Sequence, residues 1–264
     1  GKTVGAATGY LCTPSLELKM QDENKIRKLT IDGLDVIFQD APGTEAPAEY
    51  HIYFEKYQTL CPGENVTHTM HNLLTSRGAK VRDPKAFAAA IDYSLEQWGD
   101  KIQVIAGTHH WPVWGNKNCV DMMEKQRDMY RYFNDQVIRM TNRGMNMEEI
   151  AETFRLPQSL DKEFYNRGYY GTINHNVKAV FQRYTGWWDG NPANYFRLPE
   201  QEEAGLFVEW MGGIDAMIAK ARAYLSDKNE KYHGHSLQKK YRWIAHIMKY
   251  AVFTDPDHSN DEDH

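Results

Sequence analysis

Three side chains of this sequence, Glu45, Glu64 and His109, each stand where an apolar run gives way to a polar loop, and each carries a donor atom that a divalent cation accepts. Carboxylate oxygen and imidazole nitrogen bind zinc at about 2.0 to 2.2 Å, and α/β scaffolds collect catalytic side chains in the loops that follow their strands. Spacing alone leaves a plainer reading open. A loop glutamate is ordinarily solvated, and a histidine beside a tryptophan, as in His109-His110-Trp111, is ordinarily a hydrogen-bonded packing residue.

Local signals say which elements must carry these residues. Leu29 to Phe38 holds two apolar stretches around Asp32-Gly33, a hairpin signal, because the turn demands positive φ. The second arm runs into Ala41-Pro42-Gly43-Thr44-Glu45, where proline ends the ladder. His51 to Phe54 predicts another strand, and after Leu60-Cys61 the chain turns at Pro62-Gly63 toward Glu64 and Asn65. Asp83 as N-cap and Pro84 at the first helical position open a helix running to Gly99, which is expected in left-handed geometry. A strand over Ile102 to Ala106 then leads into the loop of His109.

From about Val120 the pattern becomes helical. Tyr130, Phe133, Val137 and Met140 share a face that ends at Gly144, Asn146 to Glu149 reads as a capping box, and Pro157 closes the helix it opens. Leu206 to Tyr224 and Leu237 to Val252 are further amphipathic helices whose apolar stripes need partners. Trp187 and Trp188 are expected in the core, and Trp111, Trp114 and Cys119 at a junction between two units, residues 1–118 and 119–264.

Composition excludes several classes. A chain of 264 residues, 41% hydrophobic and 25% charged, is an ordinary soluble globular one, and its net charge of −5 with no clustered basic face argues against nucleic acid as a partner. No apolar run approaches the ~18 residues of a membrane span. Three widely spaced cysteines, Cys12, Cys61 and Cys119, fit free thiols. The opening Gly1-Lys2-Thr3, without initiator Met or leader pattern, reads as a start in mid-protein, and the acidic stretch from Asp255 to His264 as a frayed end.

Longer blocks carry a resemblance. Asp40-Ala41-Pro42-Gly43-Thr44-Glu45-Ala46-Pro47-Ala48-Glu49, Glu64-Asn65-Val66-Thr67-His68-Thr69 with His71-Asn72-Leu73, Arg77-Gly78-Ala79-Lys80-Val81-Arg82-Asp83-Pro84 and His109-His110-Trp111-Pro112-Val113-Trp114-Gly115 closely resemble the zinc-dependent alkyl sulfatases of the metallo-β-lactamase superfamily. The likeness continues through Arg167 to Val180 and Tyr184 to Ala193, similar to the start of that family's helical dimerisation domain.

The resemblance implies an α/β fold, the second half of a metallo-β-lactamase αββα sandwich in residues 1–118, followed by an all-α dimerisation domain in residues 119–264 that makes a homodimer. It implies a site of two zinc ions that hydrolyses linear alkyl sulfate esters to an alcohol and inorganic sulfate. Carried over, Glu45 binds one zinc, Glu64 bridges both and His109 binds the other, with Glu49, His71 and His110 as alternatives if the register shifts. Asn72 and Arg77 match positions that receive the sulfate group, and His175 is the expected general acid, with Tyr170 beside it in the same aromatic stretch. A periplasmic or secreted location is favoured over the cytoplasm.

One departure stands out. The family's other zinc ligands come from an upstream His-x-His-x-Asp-His segment that these residues lack; the nearest imitation, His233-Gly234-His235, falls in the helical part, and His258 and His264 in the acidic end. The expectation is therefore a chain that is an incomplete part of the enzyme, binding zinc weakly by itself. The alternative is a non-catalytic truncated or split relative that serves as a dimerising structural subunit.

Overall fold

The structure, a computed structural model, describes Leu18, residues 25–226 and residues 236–254. Cys12, His233-Gly234-His235, His258, His264 and the acidic end from Asp255 lie outside the described residues.

Residues up to Asp189 form one compact unit. Its sheet has six strands in chain order, β1 (Ile26–Ile31), β2 (Leu34–Asp40), β3 (Tyr50–Phe54), β4 (Thr59–Cys61), β5 (Val104–Ile105) and β6 (Val113–Trp114). The β1–β2 turn is made as expected by Asp32 and Gly33, both at positive φ. All pairings are antiparallel except β4 with β5, which run parallel across a crossover containing α1 (Pro84–Trp98). Two antiparallel steps make β2 parallel to β4, and β5 follows β4. The C-terminal ends of β2, β4 and β5 therefore share one edge of the sheet, and the loops leaving them carry Glu45, Glu64 and His109.

The strand register puts Ile37, Tyr53, Leu60, Ile105 and Val113 in one row across the sheet, and all five pack into a single core. Tyr53 stacks on Trp98 of α1 at 4.8 Å between ring centroids. Asp83 caps α1 by accepting from the Lys85 and Ala86 amides, with Pro84 next, as the sequence predicts. The other end departs from expectation: Gly99 is right-handed, because its amide continues the helical ladder to Leu95 O and the turn closes only when Lys101 and Ile102 both donate to Trp98 O. The strand expected over Ile102 to Ala106 shrinks to β5, since Ile102 is still part of that turn.

Around this core lie α2 (Asn116–Thr141), α3 (Met147–Thr153), the single-turn α4 (Gln158–Asp161) and α5 (Ile173–Thr185). Helix α2 buries Tyr130, Phe133 and Val137 as the period requires. The capping box at Asn146 and Glu149 is formed, but α3 stops at Thr153, ahead of Pro157, which instead precedes α4. Trp187 and Trp188 are exposed rather than core residues, since α5 ends at Thr185 and the turn at Gly186, at positive φ, releases the chain from the core. Trp111 and Trp114 are likewise exposed, while Cys119 is buried and, like Cys61, a free thiol.

The described residues of the second unit, which begins at Gly190, form the helices α6 (Glu200–Met211), α7 (Ile214–Ser226) and α8 (Leu237–Thr254). The single helix expected over Leu206 to Tyr224 is two, because Gly212 and Gly213 both take positive φ and break it. Ala204, Val208, Met217 and Tyr250 form its small core, with Phe207 stacked on Tyr250 at 4.0 Å.

Candidate metal centre

The loops at the shared sheet edge line a cavity of about 460 Å³ that contains Glu45, Glu64, His109 and Arg77, together with His71, Arg82, His110, Thr67, Thr69 and Tyr170. At its centre is the Glu64 carboxylate. His71 Nε2 lies 2.6 Å from Oε2 and His109 Nε2 lies 2.8 Å from Oε1, so each oxygen faces its own imidazole. Burial pushes the Glu64 carboxyl up, but hydrogen bonds to His109 and His71 outweigh it and hold the group below its ordinary value. His109 reaches in from a backbone at φ 69, in the left-handed region, so its loop is held in a shape that few non-glycine residues adopt.

Ligand atoms of Glu45, Glu64 and His71 all lie within 4.8 Å of one another. Donors so close need only small rotations to meet one cation at about 2.0 to 2.2 Å, and two carboxylates with imidazoles form an oxygen and nitrogen set that zinc accepts. The residues present fit a divalent metal.

Arg82 ties the two glutamate-bearing loops together. Its Nε donates to Glu45 O at 2.7 Å, its Nη2 pairs with the Glu45 carboxylate, and its Nη1 donates to Asn72 O at 3.0 Å and to Asn72 Oδ1. A planar guanidinium can serve so many acceptors at once. Behind Glu45 runs a buried polar chain: Ser94 Oγ donates to Gln39 Oε1 at 2.6 Å and lies 2.8 Å from His51 Nδ1, while Asn65 Nδ2 lies 2.8 Å from His51 Nε2. Asn65 also donates to Thr44 Oγ1 and accepts from the Glu45 amide. Burial keeps His51 neutral, its pKa pushed down to about 3. Glu49 stands next to the loop turn at Gly63, and burial first, then the charge of Glu45, pushes its carboxyl up.

The structure thus brings together Glu45, Glu64, His109 and Arg77, and with them the alternatives His71 and His110. Glu49 is not among the lining residues. Asn72 is buried beside the cavity, its oxygen taken by Arg82 and its amide donating to Leu74 O at 3.0 Å. His175 lies exposed on the first turn of α5 and does not line the cavity. Sequence reasoning passed over Arg82, Thr67 and Thr69 as site residues. Arg82 directly precedes the Asp83 cap, so local signals give it only as the lead-in to a helix, and its burial arises from tertiary structure.

The signature of the alkyl sulfatase dimerisation family matches residues 146–263. The chain is 44% identical over 97% of its length to a linear primary-alkylsulfatase of Pseudomonas sp. and 43% identical over 97% to an alkyl/aryl-sulfatase of Saccharomyces cerevisiae, covering 36% and 38% of those proteins. It superposes on a stereoselective inverting sec-alkylsulfatase from Pseudomonas sp. with a TM-score of 0.84 at 38% identity, over 95% of this chain and 37% of that one. The chain spans little more than a third of the length of the relatives it matches. Over that span, in sequence and in fold alike, the chain is similar to alkylsulfatases, and its residues 146–263 carry the alkyl sulfatase dimerisation signature.

Proposed function

We propose that this chain carries part of the active site of a zinc-dependent alkylsulfatase that hydrolyses linear alkyl sulfate esters to an alcohol and inorganic sulfate. The observation that carries the reading is the meeting, in one cavity, of the Glu45, Glu64 and His71 donor cluster with the exposed guanidinium of Arg77. Cation ligands next to an anion-binding fork suit a substrate that is itself a monoanion.

In this reading Glu45, Glu64 and His109 would hold zinc, and Glu64, whose two oxygens face different imidazoles, would serve both ions of a complete site. Bound there, zinc lowers the pKa of a coordinated water and so supplies the nucleophile at neutral pH. Arg77, exposed at the cavity wall, takes the sulfate oxygens in its planar fork. Asn72 acts at one remove, by holding Arg82. Departure of the alkoxide calls for a proton donor close to the ester oxygen. Tyr170 lines the cavity and His175 does not, which favours Tyr170 for that role; Tyr170→Phe and His175→Ala, assayed side by side, separate the two.

Among the described residues the cavity offers five carboxylate and imidazole side chains, Glu45, Glu64, His71, His109 and His110, fewer than two fully coordinated ions require. The remaining ligands are accordingly assigned to residues outside those described. Residues 1–118 then contribute the catalytic half, and the helices from 119 on bring two copies together as a homodimer.

The test is the zinc content per chain after purification without chelator or added metal, followed by sulfate release from dodecyl sulfate. Zinc near two per chain, with hydrolysis abolished by Glu64→Ala, supports the reading in full. Zinc near zero with hydrolysis restored by adding the missing part of the protein supports the incomplete-enzyme form. No uptake and no sulfate release in either case would leave the chain as a non-catalytic dimerising relative.

A further inference from the structure

The segment that carries Glu64, His71 and Asn72 runs from β4 toward α1 without joining the sheet. Buried backbone groups must nevertheless find partners. Here they find them on helices that come far later in the chain. Gln126 of α2 accepts from the Thr67 amide at 3.1 Å and donates to Thr67 O at 2.6 Å. Tyr130 Oη, one turn on, accepts from the His71 amide at 3.1 Å. Asn176 of α5 accepts from the Leu73 amide at 2.9 Å and donates to His71 O at 2.9 Å.

All three side chains are fully buried. Gln126 and Asn176 each use both ends of a side-chain amide, one donor and one acceptor, as a neighbouring strand would. The approach of the α5 region is close. Met70 donates to Arg167 O and accepts from the Gly171 amide, and a Cβ placed on Gly171 would lie 2.5 Å from His71 O.

We propose that Asn176 is a positioning residue of the hydrolytic site. It fixes the backbone on both sides of Asn72 and thereby directs the His71 ring at Glu64. Part of the region that matches the dimerisation family thus also builds the floor of the metal cavity. The chemistry at stake rests on the function proposed above, but the positioning itself can be read without metal.

The experiment compares the metal-free chain with Asn176→Leu, which keeps the branching and the number of heavy atoms and removes both hydrogen bonds, and with the smaller Asn176→Ala. In both variants the Leu73 amide is expected to exchange with solvent at least tenfold faster, and the His71 ring resonances are expected to move, while amides of β2 and β3 keep their protection. Unchanged Leu73 exchange and His71 resonances in Asn176→Leu would overturn the proposal. So would loss of protection throughout β2 and β3, since Asn176 would then serve the whole unit rather than the loop. A zinc titration of the same proteins addresses the other reading: wild-type chain that takes up no zinc, while the loop effects persist, counts against the metal site and leaves the positioning role intact.

Discussion

His51 shows how a single side chain can make the site depend on pH. It is fully buried and neutral, and burial takes its pKa from an ordinary 6.5 down to about 3. Between those two values the unfolded chain binds a proton on this ring and the folded chain does not. The stability contributed by the neutral ring is complete above pH 6.5 and is lost as pH falls toward 3, at up to about 1.4 kcal/mol per pH unit. We expect urea midpoints of the wild type to fall more steeply from pH 7 to pH 5 than those of His51→Gln; parallel curves would show that the ring is not held neutral. At this scale the sequence was informative about Glu45, Glu64 and His109, because a donor just past a strand end needs no distant contact to be noticed. It was silent about Arg82, whose side-chain hydrogen bonds cross to Glu45, Asn72 and His71. It also located Asn72 without revealing that the side chain is already engaged by Arg82 and Leu74.

Among the elements, the approach of the α5 region to the loop is the tightest fit near the site. Gly171 leaves no room for a methyl group, since the obstructing atoms are the His71 and Asn72 backbone rather than a movable side chain. Gly171→Ala is expected to destabilise the first unit by about 2 kcal/mol, as overpacking of a well-packed region does, and to shift its thermal midpoint down; an unchanged midpoint would mean that the two segments separate at little cost. Elements with strong local signals were readable in advance: the Asp32-Gly33 hairpin, the Asp83-Pro84 start of α1 and the Asn146 capping box. Element ends were not, because they depend on competition for acceptors. Trp98 O draws two amides past Gly99, and the Gly212-Gly213 pair divides what hydrophobic period alone reads as one helix.

For the molecule as a whole, the change of period marks where strands give way to helices, but the units expected as 1–118 and 119–264 are not the packed ones: helices α2 to α5 join the sheet's core, and the packed units divide at Asp189 and Gly190. In the second unit Trp210 is 90% exposed, and Leu206, Tyr241 and Trp243 are exposed as well. Large apolar side chains left open on a small helical unit are candidates for burial in a subunit interface. If the helical part dimerises as proposed, Trp210→Glu should weaken the dimer at least tenfold, as read by sedimentation velocity across a concentration series; an unaltered dimer would place the interface elsewhere. No helix among the described residues is long and apolar enough to cross a membrane.

The hydrogen bonds from Asn176 to the His71 loop span 103 and 105 positions of the chain. A ribosome adding about 5 to 20 residues per second needs roughly 5 to 20 s to travel that distance. Throughout that interval the nascent chain exposes Glu64 and His71 on a loop whose far clamp has not yet been made. If these side chains hold a cation as proposed, its capture in the native arrangement is a late event of biosynthesis, and a nascent chain arrested before α5 emerges carries the donors without the geometry.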